Sequence, residues 1–147
     1  NVPNEFVEAY FPLRVETYEF IVDSGGAGLH RGGNGLSVAY RFLVDGHIGI
    51  HDDRWLTYPW GVNGGKPGKR STKLLVRVDG SEEYIPAKCE GVKVHKGDLL
   101  YFNTWGGGGW GDPLQRDPTI VVSDVAKNLY QLRGQKDTAS RDPKSVV

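Results

Sequence analysis

The residues most suggestive of chemistry surround a run of four glycines between Trp105 and Trp110, followed by Asp112-Pro113. The run satisfies the G-x-G-x-x-G pattern with which a strand-to-helix turn cradles a dinucleotide. Pro113 follows at once, and too little sequence remains for a βαβ unit with its acidic ribose ligand, so a nucleotide site is not predicted. Residues without a Cβ instead reach positive φ and allow another surface to approach closely. We therefore expect Gly107 and Gly108 to contact a partner chain.

Two further glycine clusters, residues 24–35 and 60–68, bring the total to 21 glycines in 147 residues. Charged side chains beside such loops either orient an acid, a phosphate or a partner backbone, or form internal ion pairs that fix the loops. Both alternatives remain open for Arg31 and for Asp53 with Arg54. No catalytic residue is assigned. The candidate interface or active-site-lining residues are Arg31, Asp53, Arg54, Trp60, Gly107, Gly108, Trp110 and Asp112.

Three other patterns do not meet the requirements of a site. Residues 63–71 look like a phosphate loop, but Asn63 stands at its first glycine position and Arg70 at its hydroxyl position. His47 and His51 share a strand face but lie roughly 13 Å apart at about 3.4 Å per residue, too far to bind one metal ion. Cys89 is the single cysteine, so the chain forms no internal disulfide, and no His-Asn pattern marks a nucleophile. We expect this chain to bind no metal or cofactor itself.

The elements that position these residues are predicted to be β-strands, because apolar and polar residues alternate with a period of two. One strand spans residues 13–22. Three hairpins are predicted to follow: 36–44 with 47–52 across Asp45-Gly46, 73–78 with 81–85 across Asp79-Gly80, and 92–95 with 99–104 across Lys96-Gly97-Asp98. In the first hairpin Val44 is predicted to lie opposite His47. The predicted fold is mainly β, with antiparallel hairpins forming a barrel or sandwich, Gly-rich loops and one C-terminal helix.

That helix is predicted to begin at Pro118, with Asp117 as its N-cap, and to end at Gly134. Its apolar residues fall on one stripe at helical spacing: Val121, Val122, Val125, Leu129 and Leu132. The predicted domain organisation is a β domain over residues 1–133 and a polar tail over 134–147, either loose or docked on a partner.

Charge and hydropathy exclude several functional classes. Lys and Arg number 18, as do Asp and Glu, so the chain has no net field to hold a nucleic acid or an anionic membrane. Its apolar runs are far shorter than the ~20 residues that cross a bilayer. A protein without nucleic-acid or membrane partners, in the cytoplasm, is expected.

Several glycine-anchored blocks, taken in order, resemble the C-terminal region of the hydantoinase B/oxoprolinase family. They are residues 11–15, 23–35, Asp53-Arg54, 59–68, Lys96-Gly97-Asp98 and 106–118. The resemblance covers nearly all of residues 1–133, with Trp105 standing where the family usually has proline. The family's large chain is several times longer, so this polypeptide looks like the tail of that chain made separately.

The resemblance implies a small, non-ATP-binding subunit of a biotin-independent, ATP-dependent carboxylase of ketones such as acetophenone. Such enzymes phosphorylate the enol form of the ketone and bicarbonate, then join them to a β-keto acid, here benzoylacetate. ATP and a divalent cation, Mg or Mn, are expected on partner subunits. Those partners are a hydantoinase B-type large subunit and hydantoinase A-type ATP-binding subunits. This chain is expected to serve assembly and to complete the hydantoinase B-type part.

Two alternatives remain open. The main alternative is a split C-terminal piece of an ATP-dependent hydantoinase or 5-oxoprolinase that opens a cyclic amide. The chain is also consistent with a non-catalytic scaffold protein that keeps the β fold.

Overall fold

The computed structural model describes residues 2–131, which form two antiparallel sheets and two α-helices. The mainly β fold is thereby confirmed, as a sandwich-like arrangement and not a closed barrel. The strands are β1 (Leu13–Phe20), β2 (Leu36–Phe42), β3 (Gly46–His51), β4 (Thr72–Val76), β5 (Glu82–Tyr84), β6 (Lys88–Val94) and β7 (Leu99–Asn103). The helices are α1 (Asn4–Tyr10) and α2 (Pro118–Ala126), with a 3₁₀ turn at Pro113–Gln115 between β7 and α2.

Five strands form the large sheet in the order β1-β2-β7-β4-β5, and β3 pairs with β6 in the small sheet. The core lies between the sheets. Phe42, Leu75 and Leu100 come from the large sheet and pack with Ile50 and Val94 of the small one. Burying each such side chain contributes about 1.5–3 kcal/mol, which holds the two sheets together.

The first predicted hairpin is wrong. β2 pairs with β1 and β7, whereas β3 pairs with β6 in the other sheet, so Val44 does not lie opposite His47. A two-residue type I′ turn needs positive φ at both central residues. Neither Asp45 nor Gly46 has it, and the chain crosses between the sheets at this point.

The third predicted hairpin is wrong for the same reason, since β6 and β7 belong to different sheets. Its turn is nevertheless present, with Gly97 at φ +95° and the Asp98 N–H donating to the His95 carbonyl. The two crossings lie side by side. The Gly97 N–H donates to the Phe42 carbonyl (2.7 Å), and the Lys96 N–H donates to the Asp45 carboxylate (2.7 Å).

The second predicted hairpin is confirmed, because β4 pairs with β5 and Leu75 lies opposite Glu83. The Gly80 N–H donates to the Arg77 carbonyl, Gly80 has φ +85°, and the Arg77 N–H closes the loop onto the Ser81 carbonyl. This is a turn followed by a left-handed glycine, the usual geometry of a three-residue hairpin loop.

The C-terminal helix begins as predicted, with Pro118 in its first turn and the Asp117 side chain accepting from the Thr119 N–H. It ends eight residues before Gly134, at Ala126, because Asn128 adopts φ +56° and breaks the helical path. The predicted apolar stripe does not face the core: Val122 is 68% exposed, and the one buried residue of α2 is Asp124. Leu132, Gly134 and the predicted tail lie outside the described residues.

Helix α1 was not predicted. It packs beside β1, where the Glu8 carboxylate accepts from the Val15 N–H (2.8 Å), and it buries none of its residues. None of the helices within residues 2–131 has the length and apolar character needed to cross a bilayer.

Candidate functional site

The three glycine-rich segments pack against one another. We call residues 24–35, 59–69 and 106–111 the glycine layer. The Gly26 N–H donates to the Gly107 carbonyl, and the Gly107 N–H donates to the Gly33 carbonyl, both at 2.8 Å. The Gly109 N–H donates to the Lys66 carbonyl (2.9 Å), and the Lys66 N–H donates to the Ala27 carbonyl (2.7 Å). Each segment thus satisfies backbone groups of the other two without forming a regular sheet.

Space, not backbone conformation, explains the glycine run. Within the layer only Asn63, Gly64 and Gly111 have positive φ, and none of them belongs to the four-glycine run. A Cβ on Gly108 would lie 2.6 Å from the Trp60 carbonyl carbon, and a Cβ on Gly109 would lie 2.6 Å from the Ala27 carbonyl carbon. Real Cβ atoms do not approach backbone so closely, so these positions require glycine.

Gly107 and Gly108 were predicted to contact a partner chain, but in the structure they contact the backbone of this chain itself. Their surroundings differ. A Cβ on Gly107 would come no closer than 3.1 Å, to the Gly33 nitrogen, whereas a Cβ on Gly108 would overlap the Trp60 carbonyl. The four-glycine run is the central segment of the glycine layer, and its contact with a partner stays a prediction.

Arg31 belongs to a largely buried ion cluster that links α2 to the glycine layer. Its Nε lies 3.7 Å from the Asp124 carboxylate, and Arg116 Nη2 donates to the same oxygen at 2.8 Å. Arg31 Nη1 also donates to the Asn34 side chain (2.5 Å), and its guanidinium lies 5.2 Å from the centre of the Tyr130 ring. Of the two alternatives considered for Arg31, this geometry corresponds to the internal ion pair.

A cleft of about 240 Å³ opens beside this cluster between the layer and α2. Arg116, Val121, Val125 and Tyr130 line it. The Nε of Arg116 is buried and has no hydrogen-bond partner within residues 2–131.

Asp53 and Arg54 diverge. The Asp53 carboxylate forms an exposed ion pair with Lys88 (3.1 Å), which is worth little in water. Arg54 has φ +58° and places its guanidinium 4.3 Å from the centre of the Trp60 ring. Ser71 fixes both by hydrogen bonds to their carbonyls (2.9 and 3.0 Å).

Trp60 lies in a row of exposed apolar side chains, which we call the aromatic strip. Every second residue belongs to it: Leu56 is 65% exposed, Tyr58 54%, Trp60 64% and Val62 52%. Arg70 lies over the Tyr58 ring (4.8 Å) as Arg54 lies over that of Trp60. Such stacking holds large rings in place at the surface.

Trp110 and Asp112 lie at the far end of the run. Trp110 forms an isolated antiparallel bridge with His30, pairs in parallel with Val62 and leaves its ring 46% exposed. The Asp112 side chain accepts from the Leu114 N–H (2.9 Å) and caps the 3₁₀ turn. Asp112 is therefore held in a local structural contact, and Trp110 extends the aromatic strip.

The two most deeply buried charged groups among the described residues were missed from sequence. Lys73, 2% exposed, contacts the Asp52 carboxylate and lies 4.3 Å from the centre of the Phe102 ring. Burial lowers the pKa of Lys73 to about 8, while the adjacent carboxylate favours the charged ammonium. The signal was a lysine in the apolar run of β4.

Asp98, 1% exposed, is the second missed group. It accepts from the His95 N–H (2.9 Å), the Val78 N–H (3.2 Å) and the Arg77 guanidinium (3.0 Å). Burial opposes its ionisation, but these hydrogen bonds outweigh burial and lower the pKa of Asp98. The Lys96-Gly97-Asp98 motif thus has a structural role, because Asp98 bonds the segment after β6, at His95, to the β4–β5 loop, at Val78.

The eight candidate residues do not converge on one reaction centre. Arg31 serves the ion cluster, Asp112 a turn, and the two candidate glycines the layer, while Trp60 and Trp110 present apolar surface. Among residues 2–131 no group of three or more His, Cys, Asp or Glu side chains has a metal-binding arrangement.

The sequence of this chain is similar to those of known proteins. Residues 1–113 match the model of the hydantoinase B/oxoprolinase family. An uncharacterized protein of Methanocaldococcus jannaschii is 37% identical over 147 residues, which is all of this chain and 25% of that protein.

Two solved structures share the fold. The ATP-dependent caprolactamase of Pseudomonas jessenii superposes with a TM-score of 0.74 at 27% identity, over 88% of this chain and 23% of its own. An acetone carboxylase in its nucleotide-free form superposes with a TM-score of 0.64 at 18% identity, over 90% of this chain and 22% of its own. The chain thus spans about a quarter of the length of each of these three relatives.

Proposed function

Because the chain belongs to the hydantoinase B/oxoprolinase family, we propose that it supplies the β region of a hydantoinase B-type part within a larger ATP-dependent enzyme. In this role it assembles with subunits that carry ATP and a divalent cation, and it does not catalyse a reaction alone. The hydantoinase B-type large subunit and the hydantoinase A-type ATP-binding subunits are its proposed partners.

The aromatic strip is the observation that carries this proposal. Its four apolar side chains are at least half exposed. Trp60 and Val62 lie within the glycine layer, where the Val62 N–H donates to the Gly109 carbonyl and the Val62 carbonyl accepts from the Gly111 N–H. Large rings held on a rigid base lose little conformational freedom on binding, so they suit the centre of a protein interface.

The proposed reaction is carboxylation of a ketone, with acetophenone and bicarbonate giving benzoylacetate through phosphorylated intermediates and without biotin. Support comes from the fold shared with the acetone carboxylase structure. The chain would then complete the hydantoinase B-type part and line its junction with the large subunit.

A second candidate is ATP-dependent opening of a cyclic amide. It is favoured by the caprolactamase structure, which is nearer than the carboxylase in both identity (27% against 18%) and TM-score (0.74 against 0.64). The two candidates share the assembly role and differ in substrate.

Reconstitution decides between them. The full chain is combined with the hydantoinase A-type and hydantoinase B-type subunits, and ATP hydrolysis is measured with acetophenone plus bicarbonate, hydantoin, 5-oxoproline or caprolactam. We expect ketone-dependent hydrolysis that disappears when this chain is omitted. Hydrolysis dependent on a cyclic amide would select the second candidate. Activity unchanged by omission would refute the assembly role, and a chain that binds neither subunit would indicate a scaffold.

The strip itself is tested by Trp60→Ala, with Tyr84→Ala as the matched control because Tyr84 is an exposed aromatic residue (45%) on β5. Loss of a central aromatic anchor costs about 2 kcal/mol or more, so we expect affinity for the subunits to fall about 30-fold. The control should change it less than about threefold, and both variants should retain the thermal stability of the isolated chain. Equal affinities for the two variants would contradict the proposed interface.

A further inference from the structure

The small sheet covers only part of the inner face of the large one. Paired residues on adjacent strands point to the same side. Tyr18 lies opposite Val38, and Val38 lies opposite Phe102, so all three side chains point towards the core side. Val38 is 5% exposed, but Tyr18 is 46% exposed and Phe20, two residues further along β1, is 64% exposed. Large aromatic side chains on the inward face are therefore uncovered at the β1 end.

A groove of about 210 Å³ lies on this same face, between the large sheet and β3, and Tyr18 and Phe20 lie further along the face without lining the groove. Apart from Gly49 and His51, its lining side chains are apolar or aromatic: Leu13, Tyr40, Phe42, Ile48, Ile50, Leu100 and Phe102. Four consecutive residues of β3, 48–51, line the groove, whereas no residue of β6 does. The edge of β3 that is not paired with β6 is thus the one that faces the groove.

An unpaired strand edge beside apolar side chains is a binding site for an added strand. Within residues 2–131, β3 pairs with β6 alone. We propose that an extended segment of the hydantoinase B-type large subunit adds to the free edge of β3, extends the small sheet and covers Tyr18 and Phe20. This inference rests on the proposed function and assigns it a second contact surface, separate from the aromatic strip.

The length of the relatives supports this occupant. The same fold occurs in the caprolactamase chain as 23% of its length, so more than three quarters of that polypeptide is available to pack on it. An incoming strand with alternate apolar residues fits the groove, because one face would meet the large sheet while its backbone pairs with β3.

Photo-crosslinking tests the groove. The full chain is made with p-benzoylphenylalanine at Phe20, or at Val78 as a control, since Val78 is equally exposed (69%) on the β4–β5 loop. Each is irradiated with the purified hydantoinase B-type large subunit. We expect the Phe20 probe to crosslink one segment of that subunit and the Val78 probe to give none. Crosslinks from the Phe20 probe to residues 132–147, to a second copy of the chain or to nothing would overturn the proposal.

Affinity and hydrogen exchange give independent readouts. Phe20→Glu should weaken binding to the large subunit at least tenfold, whereas Val78→Glu should leave it unchanged. Both variants should keep the circular dichroism and unfolding midpoint of the parent chain, because both side chains lie at the surface. Amides of residues 48–51 should gain protection only in the complex. If the parent chain does not bind the large subunit, the proposed function fails. If the parent and Phe20→Glu bind equally, only the groove assignment fails.

Discussion

Replacing Gly108 with alanine should lower the free energy of unfolding far more than replacing its neighbour Gly107 with alanine. Both glycines have ordinary φ and similar partial exposure, so backbone strain does not distinguish them. The added Cβ on Gly108 overlaps the Trp60 carbonyl, with the carbonyl carbon at 2.6 Å and the Gly61 nitrogen at 3.0 Å. These are backbone atoms, so no side-chain rotation relieves the overlap.

The magnitude follows from what must move. Separating the two segments by about 1 Å weakens the bonds from the Val62 N–H to the Gly109 carbonyl and from the Gly109 N–H to the Lys66 carbonyl, both 2.9 Å. Each lost bond costs about 1 kcal/mol, and the overpacking itself costs about 1–3 kcal/mol. Alanine also lowers the conformational entropy of the unfolded chain, which stabilises the folded state by about 0.4–1 kcal/mol. The net loss for Gly108→Ala is about 3 kcal/mol.

Gly107→Ala meets only the Gly33 nitrogen at 3.1 Å, and Gly33 itself has open space around it. A shift of a few tenths of an ångström accommodates the methyl group, so the net change should stay within about 1 kcal/mol.

Urea unfolding of the isolated full chain, followed by circular dichroism and tryptophan fluorescence, measures the difference. With a slope of about 1–3 kcal/mol per molar urea, the Gly108→Ala midpoint should fall by about 1–3 M relative to Gly107→Ala. Midpoints that coincide would refute the packing argument. If both variants also unfold like the parent chain but fail to bind the large subunit, the glycines exist for a partner, as the sequence alone suggests.

Three further predictions concern the buried charges. Asp98→Asn should destabilise the chain by about 2–3 kcal/mol at pH 7, because the backbone donors lose their charged acceptor. The folded state lowers the pKa of Asp98, so the stability that the carboxylate contributes is present above its ordinary pKa and is lost as pH falls through the folded pKa. Urea titrations from pH 6 to pH 2 should therefore show a shallower acid dependence of stability for the variant than for the parent chain. Asp124→Asn should cost about 2–4 kcal/mol, since two guanidinium groups lose their shared carboxylate, whereas the exposed Asp53→Asn should change the unfolding midpoint little. Asp52→Asn should cost about 3 kcal/mol, and adding Lys73→Met should restore part of it; a double-mutant cycle with no coupling energy would show that the buried pair is not a unit.

Sequence patterns located most turns of this fold but not the partners of its strands. Asp79-Gly80 and Asp45-Gly46 look alike in sequence, yet the former joins paired strands and the latter joins two sheets. The difference is tertiary. Phe42 is held by backbone bonds to Gly97 and Asp98 from a distant connection, and the Asp45 side chain caps Lys96. Local periodicity contains no information on such long-range pairings, which decide between a hairpin and a sheet crossing.

The candidate site was predicted in part for a related reason. Glycine spacing indicated close approach, and the tryptophans beside it are exposed, but the surface that the glycines approach is this chain's own backbone. Arg116 and Asp124 were missed because they lie eight residues apart in and beside an apparently apolar stripe, and they meet Arg31 only after α2 folds onto the layer. Lys73 stood out as a charge within an apolar strand, and only the sheet packing shows that Asp52 accompanies it.

The glycine layer and the aromatic strip are coupled through one carbonyl group. The oxygen of Trp60 fills the space that the missing Cβ of Gly108 leaves, and the ring of the same residue is the most exposed aromatic group of the strip. A segment without sheet partners would ordinarily be free to move, so that fixing it on binding would cost conformational entropy. Here Arg54 holds the ring, and backbone bonds of the adjacent Val62 hold the chain beneath it. Gly108, within the layer, therefore sets the position of an exposed tryptophan, and a substitution at Gly108 should weaken assembly beyond its effect on folding, because it displaces the anchor that the partner is proposed to bind.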